Sequence, residues 1–104
     1  LLEMMMTGDM HPIERFHQLG FVNYVEATPA AVRERAQAVA RTIADNAPLT
    51  VWAAKKSVGA AMDLGCDRGF EAACTFHERV YASADAVEGP RAFAEKRPPR
   101  WIGA

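Results

Sequence analysis

Residues 28–65 read TPAAVRERAQAVARTIADNAPLTVWAAKKSVGAAMDLG, and their period is that of a helix. Val32, Ala36, Val39, Ala40 and Ile43 recur at helical spacing, while Arg33, Glu34, Gln37, Arg41 and Asp45 fall elsewhere on the wheel, so an amphipathic helix is predicted. Thr28 is placed as its N-cap, and Pro29 fills the first helical position, where a missing N–H costs nothing. The helix should end near Asn46, because Ala47 precedes Pro48 and a residue before proline avoids the helical region. Pro48 then starts a second helix whose Val51, Ala54, Val58, Ala61 and Met62 share a face, and Gly65 stops it.

Toward the C-terminus a third long helix is predicted from about Asp67 to Ala82. Phe70, Ala73, Cys74, Phe76, His77, Val80 and Tyr81 form a wide apolar arc opposite Glu71, Thr75, Glu78 and Arg79, and an arc that wide packs on more than one neighbour. Asp85 followed by Glu88 reads as a capping box for a last short helix. Pro90 would then delete a backbone bond in the second turn, which moves the expected start toward Glu88. The run Arg97-Pro98-Pro99-Arg100-Trp101 cannot continue a helix and should be an extended tail with one aromatic anchor.

Toward the N-terminus, Leu1–Met6 closes on Thr7-Gly8 and reads as the last turns of a helix. Pro12–Leu19 is a second short helix with Gly20 just past its end. Phe21-Val22-Asn23-Tyr24-Val25 alternates aromatic and valine residues and is predicted as a short strand. Mixed apolar sequence gives way to alanine-rich helix after this strand, which sets an internal boundary between residues 1–26 and 27–104. The opening Leu1-Leu2, with neither an initiator methionine nor a charged leader, reads as the interior of a longer chain.

Composition narrows the possible partners. The 104 residues carry 12 Lys plus Arg against 13 Asp plus Glu, so no basic excess is available to displace counterions from a polyanion, and nucleic acid is not an expected partner. No apolar run is long enough to cross a bilayer, so no membrane is expected either. Half the residues are hydrophobic, but 20 are alanines, which favour helix and bury little area each. A thin core follows, and association with a neighbouring surface is the expectation. Cys66 and Cys74 form no metal or disulfide pattern and read as reduced thiols, which suggests the cytoplasm.

Few residues combine into chemistry. His11 and His17 are six apart, a spacing that suits no common helical metal site, and no metal is expected. Ser57 and Ser83 lack a nucleophile-elbow context, the glycines form no phosphate loop, and His77 on the apolar arc reads as an interface histidine. Lys55 lies at the edge of an apolar helix face, where its stem can cover packed surface. One cluster stands out: Arg91, Phe93, Lys96, Arg97, Arg100 and Trp101 interleave basic and aromatic groups within eleven residues. Such a cluster suits a nucleotide-bearing ligand, with an aromatic face on the base and cations on phosphates, or else serves as a docking tail.

Four strings in order, LLEMMMTGD at the start, LGFVNYV at 19–25, NAPLTVWAAKKSV at 46–58 and above all ADAVEGPRAFAEKRPPRW at 84–101, resemble the enoyl-CoA hydratase/isomerase (crotonase) family. The resemblance covers essentially the whole chain and implies a mainly α fold: the last short strand of a crotonase-type α/β spiral core in residues 1–26, then the C-terminal helical trimerisation region in 27–104. It implies an enzyme acting on acyl-CoA thioesters, by hydration of a 2-enoyl-CoA, in fatty acid metabolism. No cofactor is implied beyond the coenzyme A thioester itself, and the subunits would form a homotrimer or a dimer of trimers.

In that family two backbone amides hold the thioester oxygen as charge develops, and two glutamates handle water and proton. By the resemblance all four groups lie upstream of the LLEMMMTG-like segment, so no catalytic residue is expected here and the chain alone should be inactive. Phe93 and Lys96 match positions near the adenine and phosphates of a bound CoA. A further aromatic of the family falls at His77, beside Phe76, and Ile13 and Phe16 replace residues that are usually small. The competing reading is a non-catalytic assembly or binding module, or an inactive paralogue.

Overall fold

The structure, a computed structural model, describes residues 2–104; Leu1, the first residue of the predicted opening helix, lies outside the described residues. Six helices follow one another: α1 (Leu2–Thr7), α2 (Ile13–Gln18), α3 (Pro29–Ala44), α4 (Pro48–Leu64), α5 (Cys66–Tyr81) and α6 (Ala84–Ala94). The chain divides into two compact units, the first ending at Ala38 and the second running Val39–Ala104, so the border falls inside α3.

In the first unit glycine closes both short helices. Gly8 (φ 74°) donates to the Met4 carbonyl at the end of α1. At the end of α2, Gly20 (φ 72°) donates to His17 O and Phe21 donates to Phe16 O at 2.9 Å, the paired bonds of a Schellman turn. The accompanying apolar contact is present too, with the Phe16 and Phe21 rings 5.7 Å apart.

That turn also explains a correction. Phe21–Val25 is not a strand, and no strand occurs among the described residues. A strand is defined by its ladder, and no second extended segment here supplies one; the N–H groups of Phe21 and Val22 instead point back at Phe16 O. The helix that follows begins as its sequence requires, with Thr28 Oγ1 accepting the Ala31 N–H at 3.2 Å. Just before it, Glu26 pairs with Arg35 at 2.8 Å, and the same guanidinium lies 5.1 Å from the centre of the Tyr24 ring.

In the second unit α4 and α5 form a hairpin turned by Gly65 (φ 81°). Their backbones meet closely at Gly69, where an added Cβ would stand 2.5 Å from Ala61 Cα. Farther along, Trp52 meets Phe76 edge-on at 5.5 Å, and Arg79 covers the Trp52 ring at 5.5 Å. The face of α4 expected to be covered is largely open, with Val58 63% and Met62 81% exposed, while Ala53 is fully buried. Alanine on most sides of α4 leaves its period too weak to say which side packs.

The start of α6 is a second correction. Its N-cap is Ser83, whose hydroxyl accepts the Ala86 N–H at 3.2 Å, and not Asp85 or a residue near Glu88. Asp85 lies inside the first turn, 4% exposed, and its two carboxylate oxygens accept the N–H groups of Ile102 and Gly103 at 2.9 Å each. Pro90 therefore sits within the helix. The tail leaves the helix as predicted, and its aromatic anchor is Trp101, whose indole N–H donates to Asp45 O at 2.8 Å. The tail then ends with Ala104 O accepting the Ala84 N–H at 2.7 Å.

The core is as thin as the alanine content implies. Among the described residues the buried apolar side chains are Ala53 and Ala92.

Candidate functional site

The basic and aromatic cluster is sorted by two glutamates. Arg97 reaches back nine residues to Glu88 in a two-pronged ion pair, with Nη2 2.9 Å from Oε2, and its Nε donates to Glu95 at 2.6 Å. Glu88 also accepts the backbone N–H of Arg100 at 2.7 Å. Arg91 pairs with the remaining oxygen of Glu95 at 2.9 Å. Held by Arg97 first and by the Arg100 amide second, the Glu88 carboxyl is lowered to about 2 from 4.5. Glu95 is lowered by Arg97 and then by Arg91, and Arg97 is raised by the same two carboxylates.

Arg91, Arg97 and Trp101 are thus committed within the chain. The Trp101 ring lies over Gly89, where a Cβ would come within 3.3 Å of Cη2, so that glycine makes room for the indole.

Phe93 and Lys96 are left facing outward. Phe93 is 89% exposed, and among the described residues no carboxylate pairs with the Lys96 ammonium. They are joined through the backbone, since Lys96 N donates to Phe93 O at 3.2 Å while Arg97 N donates to Ala92 O at 3.0 Å. This is the Schellman turn that closes α2, repeated at the end of α6 with lysine in the glycine position. Lys96 has φ 52° and is the only non-glycine residue at positive φ among the described residues. A side chain there costs roughly 1–2 kcal/mol, because Cβ crowds the following carbonyl.

Neutralised carboxylates, an open aromatic face and an unpaired cation make an edge that can stack on a planar base and hold a phosphate. Arg91 and Arg100 line a shallow groove of about 370 Å³ on the flank of α6, together with Val87 and Ile102. Residue-type reasoning grouped Arg91, Phe93, Lys96, Arg97, Arg100 and Trp101 as one cluster, a ligand site or a docking tail, without dividing the side chains held within the chain from Phe93 and Lys96, which the family resemblance singles out. It missed Asp85 and Glu88 as the groups that hold the tail; Arg97 nine residues after Glu88 was the available signal for the one, while the other binds backbone amides, which carry no side-chain signal.

Elsewhere, Lys55 lines a groove of about 660 Å³ between α4 and α5 with Trp52, Lys56 and Phe76. His77 is half-buried and its ring centre is 6.4 Å from that of Tyr81. The first unit has a groove of about 380 Å³ lined by residues that include His11, Arg15, Phe16 and Phe21.

Comparison with known proteins bears on this arrangement. Residues 2–104 match the sequence model of the family described as enoyl-CoA hydratase/isomerase. Carnitinyl-CoA dehydratase of Proteus mirabilis (strain HI4320) is 36% identical over 105 residues, covering 97% of this chain and 40% of that protein. Enoyl-CoA hydratase from Mycobacterium tuberculosis H37Rv superposes with a TM-score of 0.88 at 41% identity, over 99% of this chain and 40% of that one. Enoyl-CoA hydratase EchA1 from Mycobacterium marinum gives 0.87 at 42% identity, over 99% and 42%. The chain therefore spans about 40% of the length of the curated relatives it matches.

Proposed function

The chain belongs to the enoyl-CoA hydratase/isomerase family, and on that premise we propose that it is the C-terminal helical part of an enzyme hydrating a 2-enoyl-CoA. Residues 1–26 end the spiral core and residues 27–104 serve assembly into a homotrimer or dimer of trimers in the cytoplasm. Phe93 stacks on the adenine of the coenzyme and Lys96 pairs with its phosphates. Coenzyme A enters as part of the substrate, and no separate cofactor takes part. The amides that polarise the thioester and the glutamates that move water and proton belong to the family's preceding segment, outside these residues.

The observation that carries the coenzyme contact is an exposed ring and an ammonium that no carboxylate pairs with among the described residues, set on one hydrogen-bonded turn beside cations already neutralised by Glu88 and Glu95. One stacked ring contributes about 0.5–1.5 kcal/mol beyond burial. A charge-assisted hydrogen bond adds about 1.5–3 kcal/mol. Phe93→Ala combined with Lys96→Ala should therefore weaken coenzyme A binding about tenfold or more by calorimetry, since 1.4 kcal/mol is a factor of ten. Unchanged affinity would leave this edge only a docking role. In the same preparation, crotonyl-CoA should not be hydrated by residues 1–104 alone; turnover would refute the placement of the reacting groups.

A further inference from the structure

We propose that the Glu88–Arg97 ion pair is a positioning device that holds Lys96 in its left-handed conformation, so that its ammonium and the Phe93 ring form a preorganised subsite for an adenine nucleotide phosphate. The inference rests on the reading of Phe93 and Lys96 as coenzyme contacts and adds the groups that set their geometry. Two turns of one chain are the starting point. At the end of α2 the left-handed position is Gly20, where nothing opposes it, and at the end of α6 it is Lys96, where the side chain does. A strained residue persists only where its surroundings over-determine it.

Here they do so from the C-terminal side. Arg97, the next residue, is tied by its N–H to Ala92 and by its guanidinium to Glu88 and Glu95. Beyond it Arg100 N is held by Glu88, Trp101 by Asp45, and Ile102 and Gly103 by Asp85. The same pairs have an electrostatic consequence. Arg97 and Arg91 occupy both glutamates, which would otherwise compete with an outside anion for Lys96.

Charge and position give opposite signs when Glu88 is altered. Glu88→Gln removes a negative charge beside an anion subsite, so Coulomb attraction alone predicts tighter coenzyme A binding. Positioning predicts the reverse: if the competent backbone is populated a third to a tenth of the time, the apparent Kd rises about three- to tenfold.

Calorimetry of coenzyme A with the full chain, Glu88→Gln, Lys96→Ala and the double variant closes a cycle. Loss in Glu88→Gln that vanishes in the Lys96→Ala background supports positioning through Lys96. Equal loss in both backgrounds makes Glu88 merely structural and overturns the proposal, as does tighter binding. Should Lys96→Ala itself leave affinity unchanged, the coenzyme reading fails first and the positioning falls with it. Should Glu88→Gln not fold, Lys96→Gly decides. Relief of strain should raise Tm by about 4 °C or more while coenzyme A binding weakens, and a Tm no higher than that of the unaltered chain overturns the strain on which the device depends.

Discussion

Asp85 and Glu88, one helical turn apart, do unlike work with the same functional group. Asp85 is buried and spends both oxygens on backbone N–H groups of the tail, whereas Glu88 takes a guanidinium and one N–H nearer the surface. The Glu88 pair sets a pH dependence whose sign follows from linkage. Its carboxyl is lowered to about 2 in the folded chain against an ordinary 4.5. The bound proton therefore favours the open tail, and the contribution of Glu88 is complete above 4.5 and lost as pH falls toward 2. With Trp52→Phe leaving Trp101 as the sole indole, Trp101 emission should shift red across that window in dilute buffer. Glu88→Gln should carry the shifted emission already at neutral pH, and identical titrations of the two proteins would deny Glu88 this role. The capping-box reading of Asp85 and Glu88 failed for a physical reason. Ser83 and Asp85 are equally good cap residues locally, and what decides between them is the demand of two amides seventeen and eighteen residues away, which no local pattern contains.

Between elements, the decisive contact is the approach of α5 to α4 at Gly69. Alanine is ordinarily the better helix residue by about 1 kcal/mol, so Gly69→Ala in an open helix would stabilise. At this position the new Cβ meets Ala61 Cα at 2.5 Å, and that neighbour is backbone, which cannot rotate away. The hairpin must separate, loosening the Trp52–Phe76 contact farther along, and overpacking of this kind costs about 1–3 kcal/mol. Urea denaturation of Gly69→Ala should accordingly give a lower midpoint than the unaltered chain, and an unchanged or higher one would mean the helices do not meet there. Helix ends were legible in the sequence because glycine and proline mark them chemically: Gly8, Gly20 and Gly65 adopt positive φ at the stops, and Pro29 and Pro48 sit at the starts. That Phe21–Val25 forms no strand was not legible, since alternation reports a half-buried surface and a strand also needs a pairing partner. Which face of α4 packs was hidden by alanines that satisfy either side.

At the scale of the whole chain the area left uncovered exceeds what folding ordinarily leaves. The accessible surface is 8544 Å² for 11.4 kDa. A folded monomer of that mass exposes about 5,800 Å², and its two units counted as separate globules about 6,900 Å². The excess, roughly 1,600–2,800 Å², is of the order buried in stable protein interfaces. Part of it has a definite address. Phe70, Cys74 and Tyr81 follow one another at helical spacing along α5 and are exposed, Phe70 by 70% and Tyr81 by 78%, on the part of the wide apolar arc that α4 leaves bare, with the half-buried His77 between the last two. The sequence foretold this arc as too wide for one neighbour, and α4 fills only the side that carries Phe76 and Gly69. Burying two such rings is worth about 1.5–3 kcal/mol each, whereas a charged residue at an exposed site changes stability by about 0.5 kcal/mol or less. Sedimentation velocity at tens of micromolar should therefore find the chain in species heavier than 11.4 kDa. Phe70→Glu combined with Tyr81→Glu should return it to the monomer with its far-ultraviolet dichroism unchanged. An unaltered chain that sediments as a monomer and leaves an apolar dye dark would mean that this surface needs no cover, and the assembly role would fall with it.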